Sequence, residues 1–309
     1  MSSELVHQPV MVTESLEALS VHPGGIYLDA TVGLGGHSAA ILEASDPTGR
    51  VLGIDLDPRS LEGAVQRLRL FGQRFMPAAG NYGDMVALAR SLGSDQLNGV
   101  LMDLGFSSRQ VGTPGYGFSF QTDEPLDMRY DPEAQLTAHE VVNEYSEQQL
   151  ARVIYEFGEE PRSRLIARRI VGSRPVQSTA QLASIVAGAT GPRRGRRIHP
   201  ATRTFQAIRI EVNDELANLD SGLNAAVRLL APMGRLAVIS YHSLEDRMVK
   251  LFLQRESARC VCPPEVPVCV CGHQPSLKLV HRRVIKPSAG EIKENPRSRS
   301  AKLRVAHRL

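Results

Sequence analysis

The stretch DATVGLGGHSAAIL, residues 29–42, passes through three kinds of local sequence in quick succession. The apolar run IYLDATV (26–32) reads as a strand, the glycines at 33, 35 and 36 as a tight turn, and SAAILEA as the start of a helix. A strand, a glycine turn and a helix in that order form a cradle for a nucleotide-like cofactor. Glycine lets the backbone approach a ligand and aim its amides at it.

Working outward, further strand-like runs follow at VLGIDLD (51–57), RFMPAAGN (74–81) and GVLMDLG (99–105), with helical segments between them. This βαβ alternation predicts an α/β fold, a Rossmann-like, doubly wound, mostly parallel sheet. The next strand, GRLAVISYHS, comes only at 234–243, far beyond what one crossover needs. The intervening chain opens on GTPGYGFSF (112–120) and continues as helical patterns in LTAHEVVNEYSEQQLARVIYEF, SRLIARRIVGS and TAQLASIVAGA. We read it as an inserted helical domain, residues 113–213, within a cofactor domain of residues 1–112 and 214–309. One long amphipathic helix is expected from Phe205, Ile208, Val212, Leu216, Leu219, Leu223, Ala226 and Leu230, with Pro200 near its first turn. Ser243, followed by Asp246, resembles a capped start for the helix after the fifth strand.

The net charge is only +3, yet residues 162–209 hold eleven arginines and no Asp or Glu. The tail, 278–309, is also basic, with ten Lys or Arg against Glu291 and Glu294. Segregation of this kind points to a polyanionic partner, because a merely solvated face intersperses its signs. The tail can equally pack as a final strand. No apolar run approaches the roughly 18 residues that cross a bilayer, and MSSELVHQPVMV lacks the layout of a signal peptide, so a cytoplasmic protein without membrane contact is expected. Oligomeric state leaves no trace in the sequence.

Asp55 ends the second strand about twenty residues after the turn, where a carboxylate can accept both ribose hydroxyls. Turn and carboxylate alone suit a nicotinamide cofactor as well as S-adenosylmethionine. Two features favour the methyl donor. GLGGHS lacks the full G-x-G-x-x-G pattern, and Asp103 ends the fourth strand at the carboxyl edge, where it suits a sulfonium or an amine better than a dinucleotide.

HQPVMVTESL, DATVGLGGHS, DLGFSS, GFSF followed by PLDMR, HPATRTFQAIRIEVNDEL, ISYHSLEDR and ENPRSRSAKLRV occur in this order from residue 7 to the C-terminus. Together they resemble the bacterial 16S rRNA (cytosine-N4)-methyltransferases of the RsmH (MraW) type. The resemblance implies a class I methyltransferase sheet with an inserted helical domain. It implies S-adenosylmethionine as donor and, as acceptor, the exocyclic N4 of a cytidine in the decoding region of 16S rRNA, in the small subunit or its assembly intermediate. Its cofactor contacts fall on Gly35, Gly36, His37, Asp55, Tyr82, Asp103 and Gln110. A methyltransferase for another amine of RNA or DNA, an assembly factor without turnover, and a nicotinamide oxidoreductase are the competing readings.

A cytosine amine is a poor nucleophile because its lone pair is delocalised into the ring. Asp103, or a carbonyl beside it, can accept an N–H and turn the lone pair toward the methyl group. Asp103-Leu104-Gly105-Phe106 stands where amino-methyltransferases carry D-P-P-Y, though without the prolines. His242 at the end of the fifth strand is a candidate to contact the base or take the released proton, against the plainer role of a hydrogen-bonded strand end. Tyr116, Phe118 and Phe120 are candidates to stack on a base turned out of the rRNA, or else they pack the insert. Asp127, Arg129 and Asn213 are assigned to the substrate side, and Arg193, Arg194, Arg196 and Arg197 suit phosphate contacts. The four cysteines, Cys260, Cys262, Cys269 and Cys271, are spaced C-x-C-x6-C-x-C. They can hold one structural zinc, although the commoner knuckle spacing is C-x2-C; reduced thiols or a disulfide are the alternatives.

Overall fold

A computed structural model describes residues 9–106, 115–191, 199–266 and 268–309. The chain divides into two compact units, Met1–Gly105 with Ala217–Leu309, and Phe106–Leu216.

In chain order the elements are α1 (Val12–Leu19), β1 (Ile26–Asp29), α2 (Gly36–Ala44), β2 (Arg50–Asp55), α3 (Pro58–Leu68), β3 (Phe75–Ala79), α4 (Met85–Ser91) and β4 (Leu97–Asp103). Next come α5 (Ala138–Glu144), α6 (Glu147–Glu156), α7 (Ser163–Val171), α8 (Thr179–Thr190), α9 (Thr202–Asn213) and α10 (Glu215–Leu229). The chain closes with β5 (Leu230–Ser240), α11 (Ser243–Ser257), β6 (Leu277–Leu279), α12 (Ala289–Glu294) and β7 (Lys302–Arg308).

The first unit is built on a seven-stranded sheet of order β3-β2-β1-β4-β5-β7-β6. Strands β1 to β5 are parallel, while β7 runs antiparallel to both β5 and β6. The strands read as near-continuous apolar runs because both faces are covered. Leu28, Leu52, Val100, Met102, Leu236 and Val238 pack into one core, and their neighbours Tyr27, Val51, Leu101, Ala237 and Ile239 into the other. Strand order reverses at β1 and β4, and the crevice at the carboxyl ends there is where open α/β sheets bind ligands. The basic tail is structural in part. Lys302 and Arg304 of β7 pair with Asp246 at 2.9 and 2.7 Å, and Val238 lies opposite Arg304.

The second unit is helical, with Val141, Leu150, Ile154, Ile166, Leu182 and Ile208 in its core. Its long helical pattern at 136–157 is two helices, separated where Ser146 and Gln149 form a capping box. Several of its arginines also serve the fold. Arg174 donates to the Val142 carbonyl, Arg203 to that of Glu159, and buried Arg209 grips Glu215 at 2.7 and 2.9 Å.

Three local expectations are corrected. The long amphipathic helix is two helices, α9 and α10, because Asp214 takes a left-handed conformation, φ 47°. Asn213 fixes that break by donating to the carbonyls of Met128 and Arg209 and accepting from the Tyr130 N–H. Pro200 precedes α9, whose N-cap is Ala201. Helix α11 is capped by His242 rather than Ser243, in a capping box with Glu245. Among the described residues, no helix is long and apolar enough to cross a membrane.

Candidate active site

The site is built at the carboxyl ends of β1, β2 and β4. The turn after β1 is closed by the Gly35 N–H donating to the Val32 carbonyl at 2.7 Å. Gly35 has φ 76°, which side chains rarely adopt, and forms the N-cap of α2. A Cβ on Gly36 would stand 2.8 Å from the Pro9 ring, so only glycine lets the segment before α1 lie against the turn. The amides at the start of α2 leave a partial positive charge there, suited to a carboxylate.

Asp55 is joined to this turn from the neighbouring strand. Its carboxylate accepts from the Gly33 N–H at 2.7 Å and the Asp57 N–H at 2.9 Å. Burial pushes its pKa up to about 7, against the pull of these two amides. Tyr82 follows β3 and packs on α10, where a Cβ on Gly222 would come within 2.6 Å of its ring.

Asp103 is held at both its main chain and its side chain. Its N–H donates to Thr31 Oγ1 at 2.8 Å, its Oδ1 accepts from the Tyr241 hydroxyl at 2.8 Å, and its Oδ2 lies 3.5 Å from His37 Nε2. His37 is buried. Burial opposes its charge, but Asp103, Asp29 and Glu291 outweigh that and raise its pKa above the ordinary histidine value. Buried Asp29 in turn accepts from Ser38 Oγ at 2.7 Å, and burial raises its pKa as well. The Tyr241 phenol is pushed well above its ordinary pKa, first by burial and then by Asp103, so it stays protonated and remains a donor.

Thus Gly35, Gly36, His37, Asp55, Tyr82 and Asp103 all lie at one edge of the first unit. Gln110 and the arginines 193, 194, 196 and 197 lie outside the described residues. His242 stands beside Tyr241 but turns to its own helix, with its Nδ1 accepting from the Glu245 N–H at 3.4 Å. In the second unit Tyr116, Phe118 and Tyr130 form a stack with Phe106, the Phe118 and Tyr130 rings 5.3 Å apart. Phe120 packs on His199 and Phe205. Arg129 spends its guanidinium on Asp127 and on the carbonyls of Pro132 and Ala134. Sequence reasoning missed Asp29, Thr31 and Tyr241. The available signal was position: Tyr241 directly follows the carboxyl end of the fifth strand, on the edge where ligands of open sheets bind.

The four cysteine sulfurs, between α11 and β6, lie within 4.8 Å of one another.

A glycine turn joined to a β2 carboxylate, with a second carboxylate held at the β4 edge of a 3-2-1-4-5-7-6 sheet, defines a methyltransferase of the Rossmann-like class. Residues 4–309 match the MraW methylase family, and the chain belongs to that family. Curated relatives named ribosomal RNA small subunit methyltransferase H come from Dehalococcoides mccartyi, Thermomicrobium roseum and Geobacter sulfurreducens. They are 51%, 52% and 51% identical to it, over 99%, 98% and 98% of this chain and 87%, 94% and 99% of theirs.

Proposed function

We propose that this chain transfers a methyl group from S-adenosylmethionine to the exocyclic N4 of a cytidine in the decoding region of 16S rRNA, in the cytoplasm, on the small subunit or its assembly intermediate. The observation that carries this reading is Asp103. Its carboxylate is held by the Tyr241 hydroxyl at the β4 edge, beside the glycine turn and its Asp55 partner.

The donor fits the residues present. The buried Nε2 of His37 at the mouth of α2 has no hydrogen bond beyond the 3.5 Å approach of Asp103 Oδ2, Asp55 offers a carboxylate for ribose hydroxyls, and Tyr82 offers a ring for adenine. When bound, the donor supplies a methyl group on a positively charged sulfur. Asp103 accepts an N–H of the target amine and turns its lone pair toward that methyl, so alignment supplies most of the acceleration. The methyl group would pass from that sulfur to the amine nitrogen, and the amine, acidic once methylated, would give its proton to water. No strong base is needed.

Phe106 is the exposed end of the ring stack, with Arg209 4.9 Å over its face. Like the Tyr of D-P-P-Y, it follows the strand-end acid by three positions and suits stacking on an unpaired base. Phe118, stacked between Tyr116, Tyr130 and that ring, supports it from within the same unit, while Asp127, Arg129 and Asn213 shape the loop that carries Tyr130. Arginines 193, 194, 196 and 197 hold phosphates. The reading also places a structural metal ion at the four cysteines, outside the transfer chemistry.

Incubation with methyl-deuterated donor and small subunits lacking their native methylation, followed by nucleoside mass spectrometry, tests the proposal. Deuterated N4-methylcytidine is expected. Donor binding without label in any assembly-stage particle would exclude it.

A further inference from the structure

We infer that Cys260, Cys262, Cys269 and Cys271 bind one Zn(II) as four thiolates, and that this ligation, not side-chain packing, gives residues 258–266 and 268–276 their fold. The inference deepens the structural-metal part of the proposed function and is independent of methyl transfer.

The first support is the geometry of the sulfurs. All four lie within 4.8 Å of one another, with Cys269 to Cys271 at 3.5 Å and Cys271 to Cys260 at 3.9 Å. Zinc–thiolate bonds of about 2.3 Å in a tetrahedron place their sulfurs about 3.8 Å apart. The two measured separations straddle that edge and are far beyond a covalent S–S bond of about 2.05 Å.

The second support is the backbone around the sulfurs. The Val261 N–H donates to Cys271 Sγ at 3.5 Å, and the Val270 N–H donates to Cys262 Sγ at 3.4 Å. Each Cys-x-Cys elbow therefore donates to a sulfur of the other. A third donor, the Cys262 N–H, reaches Cys260 Sγ at 3.4 Å. Donors directed at sulfur favour the thiolate and orient it for a cation, the usual task of groups behind metal ligands.

The third support is the absence of an apolar core among the described residues of this segment. From 258 to 276 no described residue is buried, and Val268 and Val270 are 71% and 79% exposed. Its neck is fastened: Ser276 N–H donates to the Glu256 carbonyl at 2.9 Å and its hydroxyl to Glu256 Oε2 at 2.6 Å. His273 Nε2 lies 3.0 Å from the Arg255 carbonyl, so this imidazole belongs to the neck and not to the ligand set. Beyond the neck, a segment of this length without a core needs a cross-link to hold one shape. Four thiolates in a tetrahedron suit zinc or iron; zinc binds them without redox chemistry, and its uptake exchanges four thiol protons for one Zn(II).

The test uses the full chain, purified under reducing conditions without added metal. Metal content, protease sensitivity and methyl-donor binding are read on the same sample. Near one zinc per chain is expected, released as a mercurial titrates four thiols. Chelation should open residues 258–276 to protease before any other segment while donor affinity holds. Cobalt(II) in place of zinc should show intense sulfur-to-metal charge transfer and the visible bands of a tetrahedral site, which tests the wild-type protein directly should a variant fail to fold. Reduced protein that neither contains zinc nor takes it up overturns the inference. So does another resident metal, or full zinc content in a Cys260→Ser, Cys271→Ser double variant. Loss of donor binding in protein that keeps its zinc would count against methyl transfer and leave the metal site standing.

Discussion

The phenol of Tyr241 donates to Oδ1 of Asp103 at 2.8 Å and so ties the end of β5 to the end of β4. With one carboxylate oxygen held, the other is directed rather than free to rotate. Tyr241→Phe keeps the ring and removes the donor. It is expected to lower kcat about tenfold, near 1.4 kcal/mol, with donor affinity little changed. Asp103→Asn should cost more, about a hundredfold in kcat. Steady-state rates at saturating donor read both, and unchanged turnover in Asp103→Asn would remove this carboxylate from the mechanism.

Asp55 gives the site a pH signature. Its carboxyl titrates at about 7 in the folded chain because burial raises it from the ordinary aspartate range. Between about pH 4 and that value the folded chain keeps a proton that the unfolded chain has released, so stability falls as pH rises through this window. Donor affinity should run the other way and strengthen as pH rises through neutrality, since only the carboxylate accepts two ribose hydroxyls. Calorimetric titration from acid to mildly alkaline pH checks the trend, and Asp55→Asn should flatten both slopes.

His242 is expected to matter for stability before chemistry. Its Nδ1 and N–H close the capping box of α11 with Glu245. His242→Ala should lower unfolding free energy by about 1 kcal/mol, and His242→Asn, a strong N-cap residue, should restore most of it. A drop in kcat that asparagine does not rescue would reassign the imidazole to the reaction.

Gly222 sets the seat of Tyr82. A methyl group there would meet the ring at 2.6 Å, and the ring must move. Gly222→Ala is expected to weaken donor binding severalfold while the protein stays folded, since alanine favours a helix over glycine by about 1 kcal/mol. Unchanged donor affinity would take Tyr82 out of the cofactor contacts.

Arginines 193, 194, 196 and 197 can be tested by salt. Replacing all four with alanine should flatten the dependence of rRNA affinity on salt by up to about 3.6 in the log–log slope, at about 0.7 to 0.9 per phosphate lost. An unchanged slope places docking elsewhere.

The sheet was legible in the sequence because strands buried on both faces announce themselves as apolar runs, and because turn glycines and strand-end acids mark its ligand edge. Asp55 and Asp103 were found that way. What escaped depended on contacts between distant segments. Asp214 carries only a weak helix-breaking signal, the tolerance of aspartate for the left-handed conformation; the break becomes clear with Asn213 bound to Met128 and Tyr130. Tyr241 was passed over for His242 because a histidine attracts attention wherever it stands, whereas the phenol gains its role only by facing an aspartate 138 positions away. The charge count of residues 162–209 overstated the free basic surface for the same reason, since Arg174, Arg203 and Arg209 hold their own unit together.

The placement of β5 and β7 also bears on how the chain folds as it is made. Strand β4 is complete at residue 103, but its other neighbour begins at 230, and the strand that pairs with that one begins at 302. During synthesis at about 5–20 residues per second, half a sheet waits with one open, apolar edge while the helical insert emerges. Closure depends on pairings of long sequence separation, which are slow to form. The exposed interval of the nascent sheet is therefore set by the length of the insert, and lengthening that segment should lower the yield of soluble protein before it changes the stability of the finished fold.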